Sequence, residues 1–364
     1  MQPRLARYRQ FIEEQFIPSL TWNNDYSLER FSDRIRDTAK RGKYRKILFT
    51  GMGCSAIVSD VVKGFFAAEN SSIYIEVIND YDINYLFDVE SLKNGDTLVV
   101  ISSYSGHSQE PIMAYERIKA YTDNIIFLTT GGKLQEIADK DGVSLIYWRL
   151  RNPDREYPLF HVPQYLGILL DVFFNLGFLS SNYLNELSAT QEFLRSLDTQ
   201  HARVMAQQLQ DREIMLLASP KWHLSLLKLA TMHFNEMTMA PAHRNFFNEF
   251  THSEIAALSD PTSSKAVVLF EDADEDEYTK TKMVNTKALL TSDVPQNANI
   301  TCLSFGLQGD TFLKKLFSTL LFVQQVALAL GEYYDTPSRE LISLAAGNPW
   351  YNQKTIQNEQ TSTL

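Results

Sequence analysis

Only two cysteines, Cys54 and Cys302, occur in the 364 residues. They lie too far apart in sequence to read as a metal or redox pair, and their scarcity leads us to expect a reducing compartment, most simply the cytoplasm. The chain also lacks a run approaching the roughly 20 apolar residues of a membrane span, so no membrane is expected. Its first residues, MQPRLARYRQFIEEQF, contain no apolar core of the kind a secretion signal needs. An excess of positive charge is missing as well. Lys and Arg number 34 against 44 Asp and Glu, a net charge of −10, which excludes a broad basic face for nucleic acid. A further absence is the third glycine of a dinucleotide-binding loop. Gly51-Met52-Gly53-Cys54-Ser55-Ala56 places Ala56 there, and no acid clearly ends the next strand, although Asp80 and Asp82 lie nearby. No nicotinamide cofactor is expected. The acidic run Glu271 to Glu277 reads as a solvated loop and helix start rather than a metal site. We see no solenoid repeat and no low-complexity block.

What is present is an ordinary globular balance, 44% hydrophobic and 21% charged. The length is too great for one core, so two domains are expected. The most informative stretch is Thr97 to Arg117. Thr97-Leu98-Val99-Val100-Ile101-Ser102 reads as a buried strand. Ser103-Tyr104-Ser105-Gly106-His107-Ser108 follows as a hydroxyl-rich loop, and Gln109-Glu110-Pro111 opens a helix, where proline is well tolerated. Strand, hydroxyl loop and helix start can together hold an anion, through free N–H groups, the helix dipole and three serine hydroxyls. The same residue pattern also suits a plain serine-capped helix.

Around it the chain alternates. Strands are expected at Lys46 to Thr50, Ile73 to Ile78, Asn124 to Leu128 and Ser144 to Trp148. Helices are expected at Ile57 to Phe66, Leu134 to Asp139 and Gln164 to Phe178. Before them, Leu5, Tyr8, Phe11, Ile12 and Phe16 fall at helical spacing, and a second helix carries Leu28, Phe31 and Ile35. These helices are expected against a sheet edge or a partner subunit. The rear half repeats the pattern: helix Ala189 to Gln208, strand Glu213 to Ala218, helix Trp222 to Glu236, strand Ala266 to Phe270, helix Tyr278 to Leu290, strand Ile300 to Phe305, helix Thr311 to Leu330. The expected fold is α/β, two doubly wound parallel-sheet, flavodoxin-like domains in tandem, divided as 1–185 and 186–364. Ligands in such sheets sit at C-terminal strand ends, where the Gly51 and Ser103 loops would lie.

GMGCSAI, SSYSGHSQEPI and LTTGGKLQEIADKDGVSLI, in that order, resemble the sugar isomerase (SIS) domain, and more narrowly the two-domain bifunctional phosphoglucose/phosphomannose isomerases. The resemblance implies that Ser103, Ser105 and Ser108 bind a sugar phosphate and that Gly53, Cys54 and Ser55 line the sugar. His107 stands where that family usually has Asn, and Ser108 where it has Thr. Asn235-Glu236-Met237-Thr238 and Asn248-Glu249-Phe250-Thr251-His252 resemble its catalytic segments. By resemblance Glu236 is the base that moves a proton between C2 and C1. His252 assists ring opening and reaches across a homodimer, and Glu249 helps orient it. An arginine that stabilises the enediolate has its nearest candidate in Arg155. Gly331-Glu332-Tyr333-Tyr334-Asp335-Thr336-Pro337 resembles the family's D-x-TP segment, but the lysine that follows in the family is missing from Ser338 to Gly347. Arg339 and Lys354 are the nearest cations, and an arginine cannot shuttle protons near neutral pH.

Three functions follow as alternatives. The first is an aldose–ketose isomerase acting on a phosphorylated sugar through a cis-enediolate, without a metal or other cofactor. The second is an enzyme with the same enolisation machinery and another carbonyl or sugar-phosphate substrate. The third is a non-catalytic sugar-phosphate-binding protein.

Overall fold

A computed structural model describes residues 4–21, 30–149 and 158–336. Among these residues the strands form two parallel sheets. The first holds β1 (Lys46–Gly51), β2 (Tyr74–Asn79), β3 (Thr97–Ser102), β4 (Ile125–Thr129) and β5 (Ser144–Tyr147) in the order β2-β1-β3-β4-β5. The second holds β6 (Glu213–Ala218), β7 (Ala242–Phe246), β8 (Lys265–Glu271) and β9 (Ile300–Gly306) in the order β7-β6-β8-β9. Every residue of β3 is buried, as expected for a central parallel strand covered on both faces, and this is why it reads as an unbroken apolar run. Both sheets therefore wind the same way, as two doubly wound units.

The helices of eight or more residues among the described residues are α1 (Arg4–Phe11), α2 (Asp33–Lys40), α3 (Cys54–Ala68), α4 (Gln109–Ile118), α5 (Gly132–Asp141), α6 (Val162–Asn175), α7 (Asn182–Ser196), α8 (His201–Leu209), α9 (Lys228–Thr238), α10 (Glu277–Thr291) and α11 (Phe312–Tyr333). The units share one core. A single apolar cluster runs from Ile47 and Phe49 through Val61, Phe65 and Phe173 to Ile214, Phe234, Leu316 and Leu320. At the join, Phe312 stacks on Trp222 with ring centroids 5.0 Å apart. A Cβ on Gly64 would lie 2.6 Å from that Phe312 ring. Helix α11 is long and apolar enough to cross a membrane by length and composition, contrary to the expectation that no stretch approaches this, but most of it is buried. A helix covered on all sides has the same composition as a membrane span.

Several elements differ from expectation. The helix expected over Ala189 to Gln208 is two helices, α7 and α8. The Asp198 carboxylate accepts from Gln200 N at 2.8 Å, a local turn that competes with continued helix. Strand β7 was not expected at all. It is a sheet edge whose His243 is exposed and whose Arg244 is half-buried, so it shows no apolar run. Helix α2 starts after Ser32, whose hydroxyl accepts from Ile35 N. Phe31 therefore precedes the helix, and Leu28 lies outside the described residues. Ser32 N donates to Ser144 Oγ at 2.9 Å, which sets α2 at the first sheet's β5 edge. Helix α1 instead packs on α11, through the Arg9–Glu332 ion pair and Leu5.

The crossing of α9 and α11 is close enough to require a glycine. A Cβ on Gly331 would lie 2.9 Å from the Met237 carbonyl oxygen, with Leu5 Cδ2 and Thr336 Oγ1 each at 3.1 Å. Gly331→Ala is therefore expected to destabilise the chain by about 1–3 kcal/mol, the range for overpacking a filled core. Urea unfolding measures this, and an unchanged midpoint would show that the crossing is slack.

Candidate active site

In the first sheet the winding reverses between β1 and β3, so the loops leaving these strands frame the crevice where such folds take ligands. The second of these loops is held by the turn that follows β4. Thr130 N and Thr130 Oγ1 donate to the Tyr104 carbonyl at 3.0 and 2.7 Å, and Leu134 N donates to the Gly106 carbonyl at 3.0 Å. Gly106 has φ +67°, and a Cβ there would stand 1.9 Å from the Gly131 carbonyl oxygen. A Cβ on Gly132 would stand 2.4 Å from the Ser105 carbonyl oxygen. The serine loop and the glycine pair, separate motifs in the sequence, thus form one interlocked piece of backbone.

The three loop serines are placed differently. Ser103 is buried, and its hydroxyl accepts from Gly106 N at 3.2 Å, closing the loop on itself. Ser105 is exposed, and its hydroxyl accepts from His107 N at 3.3 Å. Ser108 is exposed at the start of α4, and its side chain makes no capping hydrogen bond. The N–H groups of the first helical turn and the exposed Ser105 and Ser108 hydroxyls thus lie together in one short segment, a donor set suited to an anion.

In the first loop, Gly53 is exposed, Cys54 half-buried and Ser55 buried. Beneath it Tyr165 of α6 is buried, its hydroxyl toward Ser102 and Ser55, and burial raises its pKa well above the ordinary range. Trp148 stacks on Tyr165 at 5.2 Å and packs edge-on against Tyr104 of the serine loop at 5.7 Å. Sequence reasoning did not single out Tyr165, which looks like one more apolar-face residue of a core helix.

The rear unit reaches this crevice through α9. Burial pushes the Cys54 thiol up to about 12, and the nearby Glu236 carboxylate raises it further. Glu236 is exposed in the last turn of α9. That turn is fixed from several sides: Asn235 Oδ1 accepts from Ala242 N at 2.8 Å, and Thr336 Oγ1 donates to the Met237 carbonyl at 3.1 Å. Nearer the start of α9, Lys228 Nζ pairs with the buried Asp60 of α3 at 3.0 Å. Glu236 and Cys54 are thus brought together from opposite halves of the chain.

His252 is exposed in the turn after Phe247–Phe250, where its N–H donates to the Glu249 carbonyl at 2.9 Å. Glu249 therefore meets His252 through its backbone. Among the described residues, the His252 side chain has no hydrogen bond or ion pair to Glu236 or to the serine loop. Arg155, Arg339 and Lys354 lie outside the described residues.

The matching position of the second sheet, between β6 and β8, is filled by its own side chains. Asp272, expected in a solvated run, is buried. It pairs with buried Lys315, accepts from Trp222 Nε1 at 2.9 Å and lies 3.3 Å from Lys221 Nζ. Burial alone would raise its carboxyl, but the bonds from Lys315, Asp274 N and Trp222 outweigh it and hold the group below the usual range. Asp276, in contrast, does start a helix, capping Thr279 N at 3.0 Å.

Two causes raise the Cys54 thiol, and they can be separated. At pH 8 it should be alkylated by iodoacetamide on the order of 10³-fold more slowly in the folded than in the urea-unfolded chain, because so little of it is thiolate. Glu236→Gln removes the carboxylate, so Cys54 should label faster in that variant. An unchanged rate, followed by mass spectrometry of the Cys54 peptide, would place the carboxylate away from the thiol.

Residues 198–340 match the family model described as the bacterial phosphoglucose isomerase C-terminal SIS domain. The chain is 26% identical to the bifunctional phosphoglucose/phosphomannose isomerase of Caldicellulosiruptor bescii over 312 residues, 81% of this chain and 87% of that protein. It is 22% identical to the protein of the same name from Aquifex aeolicus, over 80% of this chain and 85% of that one. Among solved structures it is similar in fold to the tagatose-6-phosphate ketose/aldose isomerase of Escherichia coli. The TM-score is 0.62 at 16% identity, covering 92% of this chain and 95% of that one. The C-terminal domain of the glucosamine-fructose-6-phosphate aminotransferase of Francisella tularensis gives 0.61 at 13% identity, covering 90% and 96%. With two parallel units of the same winding, a serine loop at the first and a family-model match across the second, the chain has the tandem SIS-type fold and is similar over most of its length to the bifunctional phosphoglucose/phosphomannose isomerases.

Proposed function

We propose that this chain is an aldose–ketose isomerase acting on phosphorylated sugars of the glucose/mannose 6-phosphate to fructose 6-phosphate class. The observation that carries the reading is that the Glu236 carboxylate, from the rear half, lies close enough to Cys54 of the front-half loop to raise its thiol. The relatives named for this reaction, matched over about four fifths of the chain, support it. In this reading the front half, 1–185, holds the substrate and the rear half, 186–364, supplies the base. The α4 start and the hydroxyls of Ser105 and Ser108 take the phosphate, with Ser103 shaping the loop. Gly53, Cys54 and Ser55 line the sugar.

The chemistry requires a base beside the carbon chain. Glu236 removes the proton from C2 of the open-chain aldose, the electrons move to form the C1–C2 enediolate, and the same carboxyl returns a proton to C1. Closure over a bound sugar would take the exposed carboxylate out of water and strengthen it as a base. We assign His252 to ring opening and Arg155 to the enediolate charge. We also propose a homodimer, which would bring His252 to a neighbouring crevice. The absence of a lysine between Ser338 and Gly347 favours a second reading, the same enolisation on a different sugar phosphate.

Proton exchange tests both. The chain is incubated in deuterated water with glucose 6-phosphate, mannose 6-phosphate and fructose 6-phosphate, and C1–H and C2–H are followed by NMR. Interconversion with deuterium uptake is expected. Glu236→Gln should slow exchange by roughly 10²–10⁴-fold, the usual worth of acid–base catalysis. A fully active variant removes Glu236 from the role. Exchange only with another sugar phosphate selects the second reading.

A further inference from the structure

Asp80 takes no part in the reaction as written, yet it is completely buried at the C-terminal end of the first sheet. It follows β2 directly, beside the end of β1, where Gly51 is in register with Asn79. Thr50 Oγ1 donates to Asp80 Oδ1, and Asp80 Oδ2 is buried with no hydrogen-bond partner. The next residue after Thr50, Gly51, is wedged: a Cβ there would stand 3.1 Å from the Ser102 carbonyl oxygen and 3.2 Å from Ser55 Cβ. Asp80, Thr50, Gly51, Ser55 and Ser102 therefore form one polar floor under both loops of the crevice.

Among the described residues no cation compensates this carboxyl. Glu110, in the first turn of α4, faces it as a like charge, and Tyr165 of α6 lies within its electrostatic reach. Its neighbour Asp82 is turned away, accepting from Asn79 Nδ2 at 3.0 Å. A carboxylate oxygen left in such a place without a partner costs far more than a neutral carboxyl oxygen.

We propose that Asp80 is a positioning residue of the sugar-phosphate site, holding Thr50 and the Gly51–Ser55 turn in their binding shape as an uncharged carboxyl. Ionised, it would sit as an uncompensated charge beside Glu110 and repel an incoming phosphate. Burial, and then Glu110, raise the group to about 7 against the Thr50 bond, so the change falls near neutral pH. The folded-state pKa lies above the unfolded value. The protonated form therefore stabilises the fold fully below about pH 4, and that contribution is lost as pH rises through about 7. The same linkage makes sugar-phosphate binding take up a proton above pH 7 and weaken as pH rises. The proposal rests on the sugar-phosphate reading of the crevice.

The test has two arms. Without ligand, urea midpoints of the wild type and Asp80→Asn are compared from pH 4 to 9. The wild type should lose stability relative to the variant between about pH 4 and 7, and a constant difference would overturn the buried, raised carboxyl. With glucose 6-phosphate and fructose 6-phosphate, the wild-type KM should rise above pH 7 by up to tenfold per unit, with kcat little changed. That rise should vanish in Asp80→Asn. In Thr50→Val, which removes the donor that favours the charged form, it should move to higher pH. A rise unchanged in both variants overturns the positioning role. Absence of turnover and binding with either sugar phosphate sinks the reading of the crevice, and the positioning role with it, but leaves the ligand-free arm readable.

Discussion

The site depends on how α9 is held between the two units. Its far end is tied to α3 by the Lys228–Asp60 pair, and its near end is pressed on α11 at Gly331. Helix α3 is in turn seated by Gly64 against the Phe312 ring. Cys54 begins α3 and Glu236 ends α9, so this clamp sets the distance between the front loop and the rear carboxylate. Each tie is short range and each involves a group with little freedom: a buried aspartate, a glycine in a helix, an aromatic stack. Interiors packed in this way transmit small shifts instead of absorbing them.

Two sheets of like winding have been put to opposite uses. The first presents backbone N–H groups, the Ser105 and Ser108 hydroxyls and exposed His107 at its switch point. The second closes the same point with Asp272, Lys315, Lys221 and Trp222. Such a buried network adds little net stability, but removing one partner leaves a charge uncompensated and costs much more. The rear unit thus gives its helix end, and not its own crevice, to the chemistry. Asp80 lies between these extremes: a buried carboxyl in the first unit, with a hydroxyl donor and, among the described residues, no cation.

Much of this was legible in order along the chain. β3, the serine loop and the α4 start follow from apolar run, small hydroxyl residues and proline, because these are local preferences. The edge strand β7 was not legible. Three consecutive polar residues, His243, Arg244 and Asn245, fill its middle, and its existence depends on β6 lying beside it. The split between α7 and α8 turned on one Asp198 side chain bonding locally. Asp272 read as solvent-exposed because charge in a sequence says nothing of what will cover it. Tyr165 was passed over, and Asp80 was read only as an acid near the end of a strand, for the same reason: their neighbours come from distant strands and helices.

The sequence by itself determined the strand and helix alternation, the parallel class and the residue types available at the first crevice, since these rest on periodicity and short-range backbone chemistry. Only the tertiary structure decided that the glycine pair after β4 interlocks with the serine loop, that the Glu236 carboxylate acts on the Cys54 thiol, and that a buried charged network fills the second switch point. Those outcomes depend on contacts between residues tens to hundreds of positions apart, and local preference carries no information about which of them will touch.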